Sequence, residues 1–259
     1  MRWFDSHCHL DDPRFAPDSG AVLRRAREAG VWDLIVPGVS ADTWMRTRDC
    51  CMGEIGVHRA YGLHPYFLTQ HRRDHLTSLA QWLETERPIA VGECGLDYHR
   101  ADLDPERQIA FFQAQLRLAR DADLPVIVHA RKAVDAVTAQ VRRVPGLRGV
   151  IHGFAGSEQQ AWRLCDLGFK LGIGANIGFE RAQRLRRVAT RLPLEALLIE
   201  TDAPDQPGPE HRGERNEPAY VGAVAAQIAR LRDLPVAEVA HATTANACEL
   251  FGLEANHHD

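Results

Sequence analysis

Lysine is almost missing from this chain: of 31 basic residues, only Lys132 and Lys170 are lysines. That scarcity reads mainly as genomic base composition, but it limits which residue could bridge two metals as a modified lysine. No apolar run approaches the ~18–20 residues that a spanning helix needs, so a membrane protein is excluded. The N-terminus, MRWFDSHCHL, reaches acidic and polar residues at once and does not read as a secretory signal. There is no excess of positive charge: 31 basic against 35 acidic residues give −4, so a polyanionic partner needs a local basic patch. There is no CxxC pair either. Cys8, Cys50, Cys51, Cys94, Cys165 and Cys248 are scattered, and reduced thiols in the cytoplasm are expected. No linker, low-complexity stretch or internal repeat divides the chain.

What remains is an ordinary globular composition, 45% hydrophobic and 25% charged. The 259 residues suit one α/β barrel, a fold that often runs ~200–250 residues as a single unit. A single domain over 1–259 and a monomer are expected. Strand-like segments alternate with helical ones. The strands are expected at Trp3–His7, Asp33–Pro37, Arg59–Leu63, Ile89–Glu93, Pro125–His129, Val150–His152, Lys170–Ile173 and Ala196–Thr201. The helices are expected at Ala21–Gly30, Ala41–Met52, Leu76–Glu86, Pro105–Ala122, Ala133–Val144, Ser157–Gly168, Arg181–Arg191, Pro218–Leu231 and Val236–Leu250. Eight strand–helix units predict a (β/α)8 TIM barrel. An open doubly wound sheet is the alternative, but it usually carries a glycine-rich phosphate loop after its first strand, and none is here.

The chemistry gathers at strand ends. His7 and His9 flank Cys8 at the end of the first strand, where alternate side chains share a face. Glu93 ends the fourth strand, His129 the fifth and His152 the sixth, and Asp202 follows the eighth. In a barrel these ends converge on one rim. Buried imidazoles and carboxylates are costly unless paired or bound to a metal. Five or six ligands exceed one tetrahedral ion and suit two ions about 3.5–4 Å apart, bridged by one carboxylate. Zinc, manganese or iron suits such a donor set better than calcium, with magnesium a further candidate. Asp5 and Glu200 share faces with these ligands, and one of them is expected to accept the other ring N–H of a ligating histidine. His64 either contacts substrate or caps its loop. Arg131 either holds an anionic group or is solvated. Cys94 should point into the core, and Asp97 belongs either to the site or to a turn. Arg181, Arg184, Arg186, Arg187 and Arg191 read first as a solvated helix face and second as a track for a nucleic-acid backbone.

The chain resembles the TatD family of metal-dependent deoxyribonucleases, in its YjjV-like branch, among the amidohydrolase-like barrels. The matching stretches are FDSHCHL (4–10), YGLHP (61–65), VGECGLDY (91–98), PVIVHAR (125–131), IHGFAGS (151–157), LGIGANI (171–177), LLIETDAP (197–204), RNEP (215–218) and TTANACELF (243–251). The resemblance implies that His7, His9, Glu93 and Asp202 surround one metal and Glu93, His129 and His152 the other. It also implies a nuclease trimming single strands from the 3′ end, with Asp202 orienting the attacking water or taking its proton. Ala130 and Cys94 depart mildly from the family pattern. Hydrolysis of a small ester, lactone or amide, or of an aminoacyl-tRNA ester, is the second expectation, because paired ions also polarise carbonyls. Neither lysine sits at the strand-four position, so Glu93 is the expected bridge. A metal-binding module without catalysis is the third expectation, disfavoured because each implied ligand is present.

Overall fold

The structure, a computed structural model, describes residues 1–254. The expected domain ran to 259, and positions 255–259 lie outside the described residues. Eight strands form one sheet in chain order, each parallel to the next: β1 (Trp3–Asp5), β2 (Val31–Gly38), β3 (Val57–Tyr61), β4 (Ala90–Asp97), β5 (Val126–Arg131), β6 (Gly149–Ile151), β7 (Phe169–Ile173) and β8 (Leu197–Ile199). Helices α1 (Ser19–Glu28), α2 (Trp44–Cys51), α3 (Asp74–Glu86), α4 (Pro105–Asp121), α5 (Val134–Val141), α6 (Glu158–Cys165), α7 (Gln183–Arg191) and α8 (Val221–Arg232) follow the strands in turn, and α9 (Val236–Phe251) ends the fold. This is a (β/α)8 TIM barrel.

Local chemistry sets several boundaries. Asp104 accepts hydrogen bonds from the Glu106 and Arg107 amides, and Pro105 opens α4 behind it. Ser157 and Gln160 form a reciprocal capping box, so α6 starts after Ser157 rather than at it. Pro218 begins a short 3-10 turn, and α8 follows only at Val221. The strand ends also differ from expectation. β1 stops at Asp5 and β8 at Ile199, while β4 runs on to Asp97 and β5 to Arg131. Glu93 and His129 therefore lie inside strands, and His7, His152 and Asp202 just beyond them.

Short first and last strands leave the barrel's closure to the segments that follow them. The Ser6 amide donates to Ile199 O at 3.0 Å, Asp202 N to His7 O at 2.9 Å, and His9 N to Ala203 O at 2.7 Å. The buried Asp5 carboxylate strengthens this seam, accepting from Thr201 N at 2.9 Å and Thr201 Oγ1 at 2.6 Å.

Period-2 alternation divides the apolar side chains. Phe4, Ile35, Ala60, Ala90, Ile127, Val150 and Leu198 fill the barrel interior. Their neighbours in sequence face outward to the helices. From α9, Phe251 stacks on Phe4 with ring centroids 6.1 Å apart and plugs the interior layer. Above that layer the interior becomes polar. Gly172 on β7 makes room there: a Cβ at this position would lie 2.2 Å from Glu200 Oε2.

At the periphery, Arg25 of α1 reaches both Glu217 oxygens at 2.7 Å, and Arg215 joins Asp18 at 2.7 Å and Glu217 at 2.8 Å. Burial raises the Glu217 carboxyl, but hydrogen bonds from Arg25 and Arg215 outweigh it and bring the group below its ordinary 4.5. A carboxyl depressed by folding stabilises above its unfolded pKa, and the benefit disappears as pH falls through the folded value.

Two outcomes are expected. Gly172→Ala should destabilise the fold by about 1–3 kcal/mol, read by urea unfolding, because the added methyl must displace a buried carboxylate. Between roughly pH 5 and pH 3 the wild type should lose more thermal stability than Glu217→Gln, whose amide has no proton to gain; parallel melting curves would contradict this.

Candidate metal centre

Glu93 is buried on β4, and its two oxygens face two different groups of imidazoles. Oε1 lies 2.9 Å from His64 Nε2, 2.9 Å from His152 Nε2 and 3.1 Å from His129 Nδ1. Oε2 lies 3.3 Å from His7 Nε2 and 3.5 Å from His9 Nε2. Asp202 closes the second group, with Oδ1 3.6 Å from both His7 Nε2 and His9 Nε2. The His7 and His9 Nε2 atoms are 3.2 Å apart. His129 Nδ1 and His152 Nε2 are 3.3 Å apart.

Glu93 thus stands between two groups of imidazoles, one facing each of its oxygens. Donor atoms within each of three groups, His7/Glu93/His152, His7/His9/Asp202 and His64/Glu93/His129, lie within 4.8 Å of one another. Nitrogen lone pairs and carboxylate oxygens crowded this closely repel unless protons or cations lie between them. Protonation is unfavourable at His7, where burial and then the neighbouring His152 push the imidazole down to about 4. Burial lowers His64 as well. Burial alone would raise Glu93, but His64, His152, His7 and the His129 hydrogen bond hold it well below the carboxylate range. Burial also works against charge on His129 and His152, but Asp97 with Glu93 raises the first and Glu93 with Glu200 raises the second. His7 and His64 beside an ionised Glu93 are thus already in the protonation states a metal requires, and on the other side a cation would take the place of the protons. The donor set therefore fits divalent cations, and imidazole with carboxylate suits zinc or manganese better than calcium.

The supporting contacts only partly follow the sequence expectation. Asp97, at the end of β4, holds the remaining nitrogen of His129, with Oδ2 3.3 Å from Nε2, and caps the chain by accepting from His99 N at 2.9 Å. It is thus both a site residue and a turn residue. Glu200 Oε1 stays 3.6 Å from His152 Nδ1 and accepts instead from Gly153 N at 2.5 Å. Asp5 does not reach an imidazole nitrogen at all. The strand ends at Asp5, so the parity with His7 stops there, and the carboxylate turns to Thr201 and the His7 amide. His64 is more central than expected: Nε2 touches Glu93, and Nδ1 also caps the loop by accepting from Tyr66 N at 3.0 Å. Arg131 is exposed and has no hydrogen bond from its guanidinium among the described residues, though its charge acts on Asp97. Cys94 points into the core as expected.

Asp202 adopts φ +56°, which places it in the left-handed region that Asp tolerates better than most residues. Gln206 Nε2 donates to its Oδ2, and Asn176 donates to Gln206 in turn. The buried Asn216 ties the Thr201 and Asp205 carbonyls together at 2.8 and 2.9 Å. Sequence reasoning assigned no role to Gln206 or Asn216. Asn216 lay within the RNEP stretch, whereas nothing in the sequence pointed to Gln206.

Beside the centre a cavity of about 540 Å³ opens, bounded by Glu200 and Asp202 on one side and by Arg181, Arg184 and Arg187 on the other. The three arginines are exposed and have no acidic partner among the described residues. Arg186 and Arg191 do not line the cavity: Arg186 lies on another face of α7, and Arg191 lies one turn beyond Arg187.

The family model described as TatD related DNase matches residues 4–252. The chain belongs to that family. It is 42% identical to a protein of Escherichia coli K12 called uncharacterized metal-dependent hydrolase YjjV, over 97% of this chain and 98% of that one. It is 34% identical to the 3′-5′ ssDNA/RNA exonuclease TatD of Erwinia amylovora, over 96% of this chain and all of that one. The crystal structure of the Escherichia coli YjjV protein superposes with a TM-score of 0.94 at 41% identity, covering 98% and 99% of the two chains. The protein is accordingly a metal-dependent hydrolase, and among the described residues no helix is long and apolar enough to cross a membrane.

If Glu93 joins two half-sites, metal titration followed by elemental analysis should give two ions per chain. Glu93→Gln should lose binding at both, whereas His9→Ala should spare the ion on the His129 and His152 side. Loss of one ion only in Glu93→Gln would show that the carboxylate is not shared.

Proposed function

We propose that the protein is a two-metal phosphodiesterase that trims single-stranded DNA from its 3′ end. The observation that carries this is the cavity joining Asp202 to Arg181, Arg184 and Arg187. A chain of net charge −4 here presents three unneutralised cations beside its metal centre, the local patch that a polyanion needs. The similarity to a relative named as a 3′-5′ exonuclease supports the same reading. His7, His9, Glu93 and Asp202 would hold one ion and Glu93, His129 and His152 the other. The ions would polarise the scissile phosphate and lower the pKa of the attacking water. Glu93 fixes the spacing of the half-sites through its two oxygens. Asp202, with Gln206 on one oxygen and the other facing the centre, orients the water and takes its proton. His64 faces the shared carboxylate and borders the substrate. Arg131, Arg181, Arg184 and Arg187 hold the polynucleotide backbone. One chain supplies every group, so a monomer suffices. The free thiols suit a reducing compartment such as the cytoplasm.

A panel of single- and double-stranded DNA, RNA, aryl phosphodiesters and aryl esters, run on metal-loaded protein, tests the proposal. Single strands labelled at the 5′ end should shorten stepwise. Turnover confined to aryl esters would establish the small-ester alternative instead.

Asp202→Asn should lower kcat on oligonucleotides by roughly 10²–10⁴, the usual range for a lost general base, while much of the metal stays bound. Near-normal turnover at saturating metal would remove Asp202 from that role. Binding of a single strand should weaken with salt, with a slope of about −0.7 per neutralised phosphate. Replacing Arg184 and Arg187 together by alanine should flatten that slope; an unchanged slope would place the strand elsewhere.

A further inference from the structure

On the other side of the rim stands a feature that the hydrolytic centre does not use. Tyr66 follows His64 and Pro65 in a short 3-10 turn, Pro65–Gln70, after β3. Its side chain is exposed, at 47%. The Arg100 guanidinium lies over the ring, 4.5 Å from the centroid, and the Phe67 ring meets it edge-on at 5.3 Å. Arg100 is held by both oxygens of Asp102, at 2.8 and 2.7 Å. Arg100 thus takes one face of the ring, and the side chain still keeps about half its exposure. Its own backbone amide donates to His64 Nδ1 at 3.0 Å, and His64 Nε2 lies 2.9 Å from Glu93. One imidazole separates the backbone of this exposed aromatic residue from the shared carboxylate.

Topology supplies the second half of the argument. In a barrel of eight strands in sequential order, β3 and β7 stand opposite each other. Tyr66 follows β3, and the arginine-lined cavity follows β7. A polynucleotide crossing the metal centre from that cavity runs toward Tyr66. Single-strand binders pair positive charge along the backbone with aromatic rings on which bases stack, and the stacking tolerates any sequence because every base has a π-face.

We propose that Tyr66 is a base-stacking platform for the substrate strand, on the side of the metal centre opposite the arginine-lined cavity. The proposal rests on the nuclease reading. Tyr66 gives the enzyme a grip on the polymer without base specificity, and the Arg100 guanidinium keeps the ring in place.

The test uses the full-length, metal-loaded protein and single-stranded oligonucleotides carrying one abasic residue at successive positions. Tyr66→Ala should raise KM about tenfold, within the range for a lost base–aromatic stack, and should affect kcat much less. Tyr66→Phe should stay near the wild type, because the ring and not the hydroxyl does the stacking. In the wild type one abasic position should raise KM by a similar factor, and in Tyr66→Ala that penalty should vanish, since removing either partner breaks the same contact. Abasic penalties that persist unchanged in Tyr66→Ala overturn the platform while leaving the nuclease reading intact. So does a Tyr66→Phe variant as impaired as Tyr66→Ala. A wild type that turns over aryl esters but no oligonucleotide overturns the nuclease reading and the platform with it.

Discussion

A buried carboxylate that must be shared organises this molecule. Burying an ion in a protein interior costs several kcal/mol unless partners surround it closely. Glu93 meets that demand with nitrogen atoms from five histidines, drawn from the segments after β1, β3 and β6 and from β5. No single strand could supply them. The barrel brings four non-adjacent parts of the chain to one depth, and Gly172 clears the neighbouring space that Glu200 fills. The lower interior is apolar and is closed by Phe251. The polar layer therefore rests on a packed floor, which leaves the rim as the only direction in which the site can open.

Much of this was legible in the chain. Eight apolar segments separated by helical periods identified the barrel, and the residues gathered round Glu93 were those expected at the strand ends. Boundaries were less legible for a physical reason. The fourth strand was expected to end at Glu93, but β4 continues past it to Asp97 with a break in register between Val91 and Cys94. That continuation is what carries Asp97 to His129, a contact set by the β4–β5 register. Asp5 failed in the opposite way. Alternation holds only while the strand lasts, and β1 ends at Asp5 itself. Gln206 carried no signal because its partner Asp202 is met only once the chain after β8 has folded back into its left-handed turn.

The chemistry and the choice of substrate reside in different parts of the fold. Hydrolysis belongs to the strand ends, which are rigid and deeply placed. The loops and helix starts above them, where Arg184 and Arg187 of α7 and Tyr66 after β3 lie exposed, are where a barrel of this type varies its substrate. This division explains how one barrel type serves several ester-like bonds. It also explains why a complete ligand set identifies a metal-dependent hydrolase without naming its substrate.

The seam between the first and last strands has a consequence for the protein's biosynthesis. Asp5 and Thr201, which lock it, are 196 positions apart. His7, His9 and Asp202 sit on this seam, so the metal pocket cannot assemble until almost the whole chain has left the ribosome. Loop closure over such a span comes late, after local strand–helix units have formed. A nascent or truncated chain would carry several of the histidines and Glu93, yet no hydrolytic centre. The centre is in this sense a product of the last stage of folding, when the first and eighth strands meet.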